Sequence, residues 1–101
     1  MGSTKRISQP KLKKILEQHK LWLESDGEKG ERADLQGAYL RHADLRGAYL
    51  WRADLQDAEL DINIRDCWSF GGAKFTHDAL PWLILHPKWS EWKDSVQIEE
   101  V

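Results

Sequence analysis

The stretch ADLQGAYLRHADLRGAYLWRADLQDAELDI, residues 33–62, decides how this chain is read. Cut into fives from Ala33 it gives ADLQG, AYLRH, ADLRG, AYLWR, ADLQD and AELDI, and every unit opens with Ala, any residue, Leu. The frame continues more weakly through NIRDC, WSFGG, AKFTH and DALPW. There Phe70, Phe75 and Leu80 keep the leucine register, Ala73 keeps the alanine register, and Arg65 breaks the large apolar column. A fixed period of this kind takes precedence over window-by-window propensity.

Five suits neither regular element. On a helix it advances about 500° per step and scatters the leucines over every side, and on a straight strand an odd period throws them alternately to the two faces. The period fits a short extended piece followed by a corner. Alanine and leucine, two apart, then point inward together while the residue between them points out. The last two positions turn the chain, and Gly37, Gly47, Gly71 and Gly72 suit corners with unusual backbone angles. The expected core is therefore Leu35, Leu40, Leu45, Leu50, Leu55, Leu60, Phe70, Phe75 and Leu80.

Repeats of the form A(D/N)LXX resemble the pentapeptide-repeat family, strongly over 33–62 and more weakly to residue 80. The resemblance implies an all-β solenoid: a right-handed, quadrilateral parallel β-helix with four pentapeptides to a coil, so about 2.5 coils for these ten units. It implies further that residues twenty apart stack at about 4.8 Å, the spacing of paired strands. Ala33, Ala53 and Ala73 then share one column, and Leu40, Leu60 and Leu80 another. Ala43, however, lies under Asn63, Leu45 under Arg65 and Ala48 under Trp68, so 63–72 is where the solenoid is expected to widen, bulge or end. On the outside Arg41 faces Asp61, Arg46 faces Asp66 and Asp57 faces His77. Trp51 falls beneath Gly71 and Tyr49 beneath Ser69, which leaves space over both rings for the chain's own tail or for a partner.

A short stack has two open ends, and the flanks are suited to cover them. Leu12, Ile15, Leu16, His19, Trp22 and Leu23 follow helical spacing, with Pro10 in the first turn and Asp26-Gly27 as the stop. In LPWLILHPKWSEWKD, Pro81 opens a short helix and Pro87 ends it, so that Trp82, Leu83 and Leu85 plug the upper end. Trp89 and Trp92 share one side of a further turn, either as part of the plug or as an exposed contact. The chain thus divides into a disordered or tag-like lead at 1–9, a capping helix and linker at 10–32, the repeats at 33–80 (regular to 62, irregular beyond), and a C-terminal cap with an acidic tail at 81–101.

Composition agrees with one small domain: 101 residues, 41% hydrophobic, 32% charged, net charge -2. A single cysteine, Cys67, excludes an internal disulfide, and the expected location is the cytoplasm. The longest apolar run, WLIL at 82–85, is too short to span a bilayer, and lysines interrupt the first apolar residues, so no secretory signal is read. Residues 1–32 carry eight Lys/Arg against five Asp/Glu, whereas 33–80 carry five against eight. The repeats are acidic but mixed, without the continuous acidic strip a long DNA mimic needs.

Catalytic and metal chemistry find no footing. His19, His42, His77, His86 and Cys67 lack metal-ligand spacing, Ser69, His77 and Asp78 come without a nucleophile elbow, and the glycines are corners rather than a phosphate loop. No enzyme and no cofactor are expected. The leading expectation is a non-enzymatic module that binds a protein partner, with Tyr39, Tyr49, Trp51, Trp89 and Trp92 as candidate contacts. The resemblance adds that family members include inhibitors and protectors of DNA gyrase. Phage or mobile-element proteins that neutralise host-defence complexes would be a related use. Direct nucleic-acid and membrane binding are not expected, and a homodimer through the C-terminal Trp-rich segment is a further option. The alternatives are a purely structural or scaffold repeat protein and, as a minor one, an enzyme.

Overall fold

The computed structural model describes residues 5–99; of the lead read as disordered or tag-like at 1–9, residues 1–4 lie outside them. The first helix, α1, spans Gln9–Glu24. Ser8 caps it by accepting from the Lys11 N–H, and Pro10 sits in the first turn, where no N–H is needed. It stops where Asp26 and Gly27 take positive φ and the Gly27 N–H returns to the Trp22 carbonyl. Leu12 and His19 are buried on its inner face, Ile15, Leu16, Trp22 and Leu23 partly so, and the lysines face out.

Beyond α1 the backbone pairs with itself at a constant offset. Strand β3 (Asp54–Leu55) pairs in parallel with β4 (Lys74–Thr76), Asp54 opposite Lys74 and Leu55 opposite Phe75. Single parallel bridges join Asp34 to Asp54, Tyr39 to Glu59 and Tyr49 to Ser69, each again twenty residues apart. The two ends of the chain supply further rungs. Strand β1 (Lys5–Arg6) pairs with β2 (Ala38–Tyr39) on the lower side, and β5 (Gln97–Glu99) pairs with β4 on the upper side.

The all-β solenoid expected from the resemblance is nevertheless not what forms. Among the described residues the strands are two or three residues long and lie in one two-stranded and one three-stranded parallel sheet, neither closed. They are combined with α1, two short helices α2 (Leu80–Leu83) and α3 (Trp89–Trp92), and 3-10 turns at Ile62–Asp66 and His77–Ala79. A quadrilateral β-helix of about 2.5 coils is absent from this arrangement, and the architecture is mixed α and β. The reason lies in the unit itself. Its fifth residue is in the left-handed region at Gly37, His42, Gly47, Arg52, Asp57 and Gly72, so each extended run ends after a few residues.

The irregular stretch begins where Arg65 occupies the leucine register. The 3-10 turn places Arg65 outside and brings Ile64, one position earlier, into the core. Asp61 caps this turn through the Asn63 N–H and also accepts from the His42 N–H. Buried Asn63 donates its side-chain amide to the carbonyls of Leu40 and Ala43, both at 2.8 Å, replacing the strand N–H groups those carbonyls would otherwise meet.

Of the nine expected core residues, eight are buried; Leu80 is half-buried where α2 begins. At the upper end Phe70 packs edge-on against Phe75 and Trp92, with ring centroids 5.6 and 4.7 Å away. Leu83 is buried in the plug and Trp82 partly buried, whereas Leu85 is 45% exposed. The outer pairs differ from expectation, one member of each meeting a partner other than the one read from the stacking. Asp61 engages His42, Arg46 pairs with Asp44 on its own rung, and Asp57 bonds Thr76.

Candidate interaction face

The five aromatic candidates separate by burial. Trp92 is buried against Phe70, and Trp89 is half-buried with its ring 6.3 Å from Phe70, so both belong largely to the plug. Tyr39 is half-buried beneath the Arg6 guanidinium, 5.4 Å from the ring centroid. Tyr49 and Trp51 flank inward-pointing Leu50 and are 37% and 40% exposed.

A third exposed ring stands beside them. Trp68 holds the register of Ala48 and bonds it, N–H to carbonyl, at 2.7 Å, yet its side chain is turned outward and is 58% exposed. An indole does not fit a column built for alanine, and Cys67 takes the interior place after the 3-10 turn. The signal was present in the sequence as a tryptophan over an alanine, but its eversion depends on the turn before it. Trp68 meets Tyr49 edge-on at 6.4 Å. Lys20 from α1 lies 5.5 Å from the Tyr49 ring and Lys88 lies 5.3 Å from the Trp68 ring, so two cations bracket the aromatic pair.

Trp51 is held in place from both sides. Its ring lies against Gly71, and its carbonyl accepts a 2.7 Å hydrogen bond from His19 Nε2. His19 Nδ1 in turn accepts from the Ala33 N–H at 2.9 Å, which fixes the neutral, Nε2-protonated tautomer. Burial lowers the His19 pKa from its ordinary 6.5; the bond to Trp51 opposes this and the nearby Arg32 reinforces it. The chain's tail passes over the neighbouring corner instead, where the Gly72 N–H donates to Ser95 Oγ. His86 repeats the device at the upper end: Nδ1 accepts from the Lys88 N–H and Nε2 donates to the Cys67 carbonyl.

Below Tyr49 an open groove of about 760 Å³ runs between α1 and residues 44–49, with Gln9, Lys13, Leu16 and Lys20 on its helical side. Asp44 is tied to Arg46 by two hydrogen bonds of 3.0 Å, which hold its carboxyl down at about 2. The Cys67 thiol is pushed up to about 12, mainly by burial and further by Asp66, so it is a poor nucleophile at neutral pH. Among the described residues, no three His, Cys, Asp or Glu side chains gather as a metal site, and no helix is long and apolar enough to cross a membrane.

Comparison with known proteins adds one finding. Residues 32–61 match a family model described as "Pentapeptide repeats (8 copies)". No curated protein and no solved structure gives a significant match.

Proposed function

With residues 32–61 belonging to the pentapeptide-repeat family, we propose that this chain is a non-catalytic module that binds a protein partner through the face formed by Tyr49, Trp51 and Trp68. The observation that carries the reading is the exposure of these three large rings on adjacent rungs, while Phe70, Phe75 and Trp92 are buried. Aromatic side chains dominate binding energy when a partner covers them, and a pre-ordered frame lowers the entropic cost of association. The clamp on Trp51 supplies that order. The buried thiol and the two histidines engaged by main-chain groups support a binding role over a catalytic one. By the family resemblance, the partner is a DNA-handling enzyme or a host-defence complex that the module inhibits or protects.

The test is capture of the partner from the native host by the wild-type chain and by a Tyr49→Ser/Trp68→Ser double variant, identified by mass spectrometry. Loss of the partner with the melting temperature retained supports the reading. Equal capture by both chains removes this face from binding.

A further inference from the structure

The rungs have a polarity that the aromatic rings hide. In a parallel ladder alternate residues direct their N–H and C=O to opposite neighbours. The Leu50 N–H donates to the Ser69 carbonyl and the Ser69 N–H reaches the Ala48 carbonyl, so the upward bonds use residues 48 and 50. The N–H and C=O of Tyr49 itself therefore face down, toward the groove between α1 and residues 44–49. On two neighbouring rungs the corresponding groups are matched. At Tyr39 the lower position is filled by β1, with Arg6 as the paired residue. At Asp44 it is filled by the carboxamide of Gln9, whose Oε1 accepts from the Asp44 N–H at 3.1 Å and whose Nε2 donates to the Asp44 carbonyl at 3.3 Å. For the main chain of Tyr49 no hydrogen-bond partner occurs among the described residues.

We infer that the groove receives an extended segment of an acidic protein partner, added as a strand beneath Tyr49. This rests on the reading of the chain as a protein-binding module. The groove supplies what such a segment needs: one donor and one acceptor in strand geometry, the apolar surface of Leu16 and Ala48, and the tyrosine ring. Its charge selects the segment. With Arg46 engaged by Asp44, its lining carries Lys13 and Lys20 against Glu17, and a carboxylate placed beside Tyr49 meets Lys20. Peptide fits better than nucleic acid. A phosphate offers no donor to the Tyr49 carbonyl, whereas a peptide strand supplies an N–H and a C=O together.

The probe is an acetylated and amidated hexapeptide of alternating valine and glutamate. Amide hydrogen exchange at Tyr49 is followed by NMR, with an alternating valine-lysine peptide and a ten-nucleotide oligo-dT as the other arms. At saturation the valine-glutamate peptide slows Tyr49 exchange by about tenfold or more, and a Lys13→Glu/Lys20→Glu variant binds it about tenfold more weakly and turns to the valine-lysine peptide. N-methylation of alternate peptide nitrogens on one edge abolishes protection, and on the other edge is tolerated. Unchanged Tyr49 exchange, indifference to N-methylation on either edge, or protection by oligo-dT alone overturns the proposal. If a host protein is lost with Tyr49→Ser/Trp68→Ser but is retained by Lys13→Glu/Lys20→Glu and is not displaced by the peptide, strand addition fails while the protein-binding reading stands.

Discussion

A methyl group placed on Gly71 would stand 2.0 Å from Cζ3 of Trp51, because the indole of one rung fills the space a side chain on the next rung would take. Gly71 is outside the left-handed region that its neighbour Gly72 occupies, so here glycine is required for room alone. Gly71→Ala is expected to cost about 1–3 kcal/mol by overpacking. Pairing it with Trp51→Ser should recover much of that loss, giving a coupling of about 1 kcal/mol or more in a double-mutant cycle. Urea unfolding of the four chains measures it; additive effects would show that ring and glycine do not share this space.

His19 joins α1 to two rungs through groups that must stay neutral. Replacing it with alanine leaves the Ala33 N–H and the Trp51 carbonyl without their partner, at about 1–3 kcal/mol each. The pH dependence has a defined sign. The native pKa is lowered from 6.5, so the unfolded chain binds the proton more readily. The histidine's contribution is fully present above about pH 6.5 and is lost as pH falls through the native value. The stability difference between wild type and His19→Ala is therefore flat at high pH and shrinks below about pH 6.5. A difference that grows on acidification would contradict the clamp.

Asn63 replaces lost strand hydrogen bonds with its own amide. Asn63→Leu keeps the site apolar but abandons the carbonyls of Leu40 and Ala43, with an expected loss of about 2 kcal/mol or more. Asn63→Asp should be worse at pH 7 than at pH 4, because the carboxylate has no proton to offer either carbonyl. Thermal unfolding at the two pH values separates these outcomes.

Cys67 is 4% exposed, and burial pushes its thiol up to about 12. A disulfide reagent at pH 8 should label it only as fast as the structure opens, with a rate that climbs steeply with added urea. Rapid stoichiometric labelling in native buffer would show that the thiol is accessible.

Much of the interior was legible because Ala-x-Leu is a steric code: a small residue where the chain turns closely and a large one to fill the centre. That code located the core residues and marked Arg65 as a misfit, and the family resemblance supplied the offset of twenty, which set Trp68 over Ala48. Neither could say how the misfits resolve. The 3-10 turn moves Ile64 into the core and turns Trp68 out, and this third ring of the candidate face was missed for that reason. The all-β expectation failed because the fifth position of most units is given to a corner and 3-10 turns at Ile62–Asp66 and His77–Ala79 interrupt the later units; the helical flanks were expected. Strand β1 has no strand pattern to read, since a two-residue rung pairs through main chain alone. The polar staples were equally hidden: Gln9, His19, Asn63 and His86 bind main-chain groups between 14 and 35 residues away, where no local motif points.

The strand at Arg6 and the carboxamide of Gln9 have a consequence for how many molecules can join. Rungs repeating at a fixed offset make the upper edge of one molecule a template for the lower edge of the next, and such a head-to-tail contact does not close on itself. Arg6 and Gln9 stand in two of the positions a second molecule would use. A chain shortened to begin at Pro10 would lose both, and light scattering that rises with time and concentration should report its growth into filaments. Unchanged scattering from the shortened chain would show that the two-residue strand and the glutamine do not limit assembly.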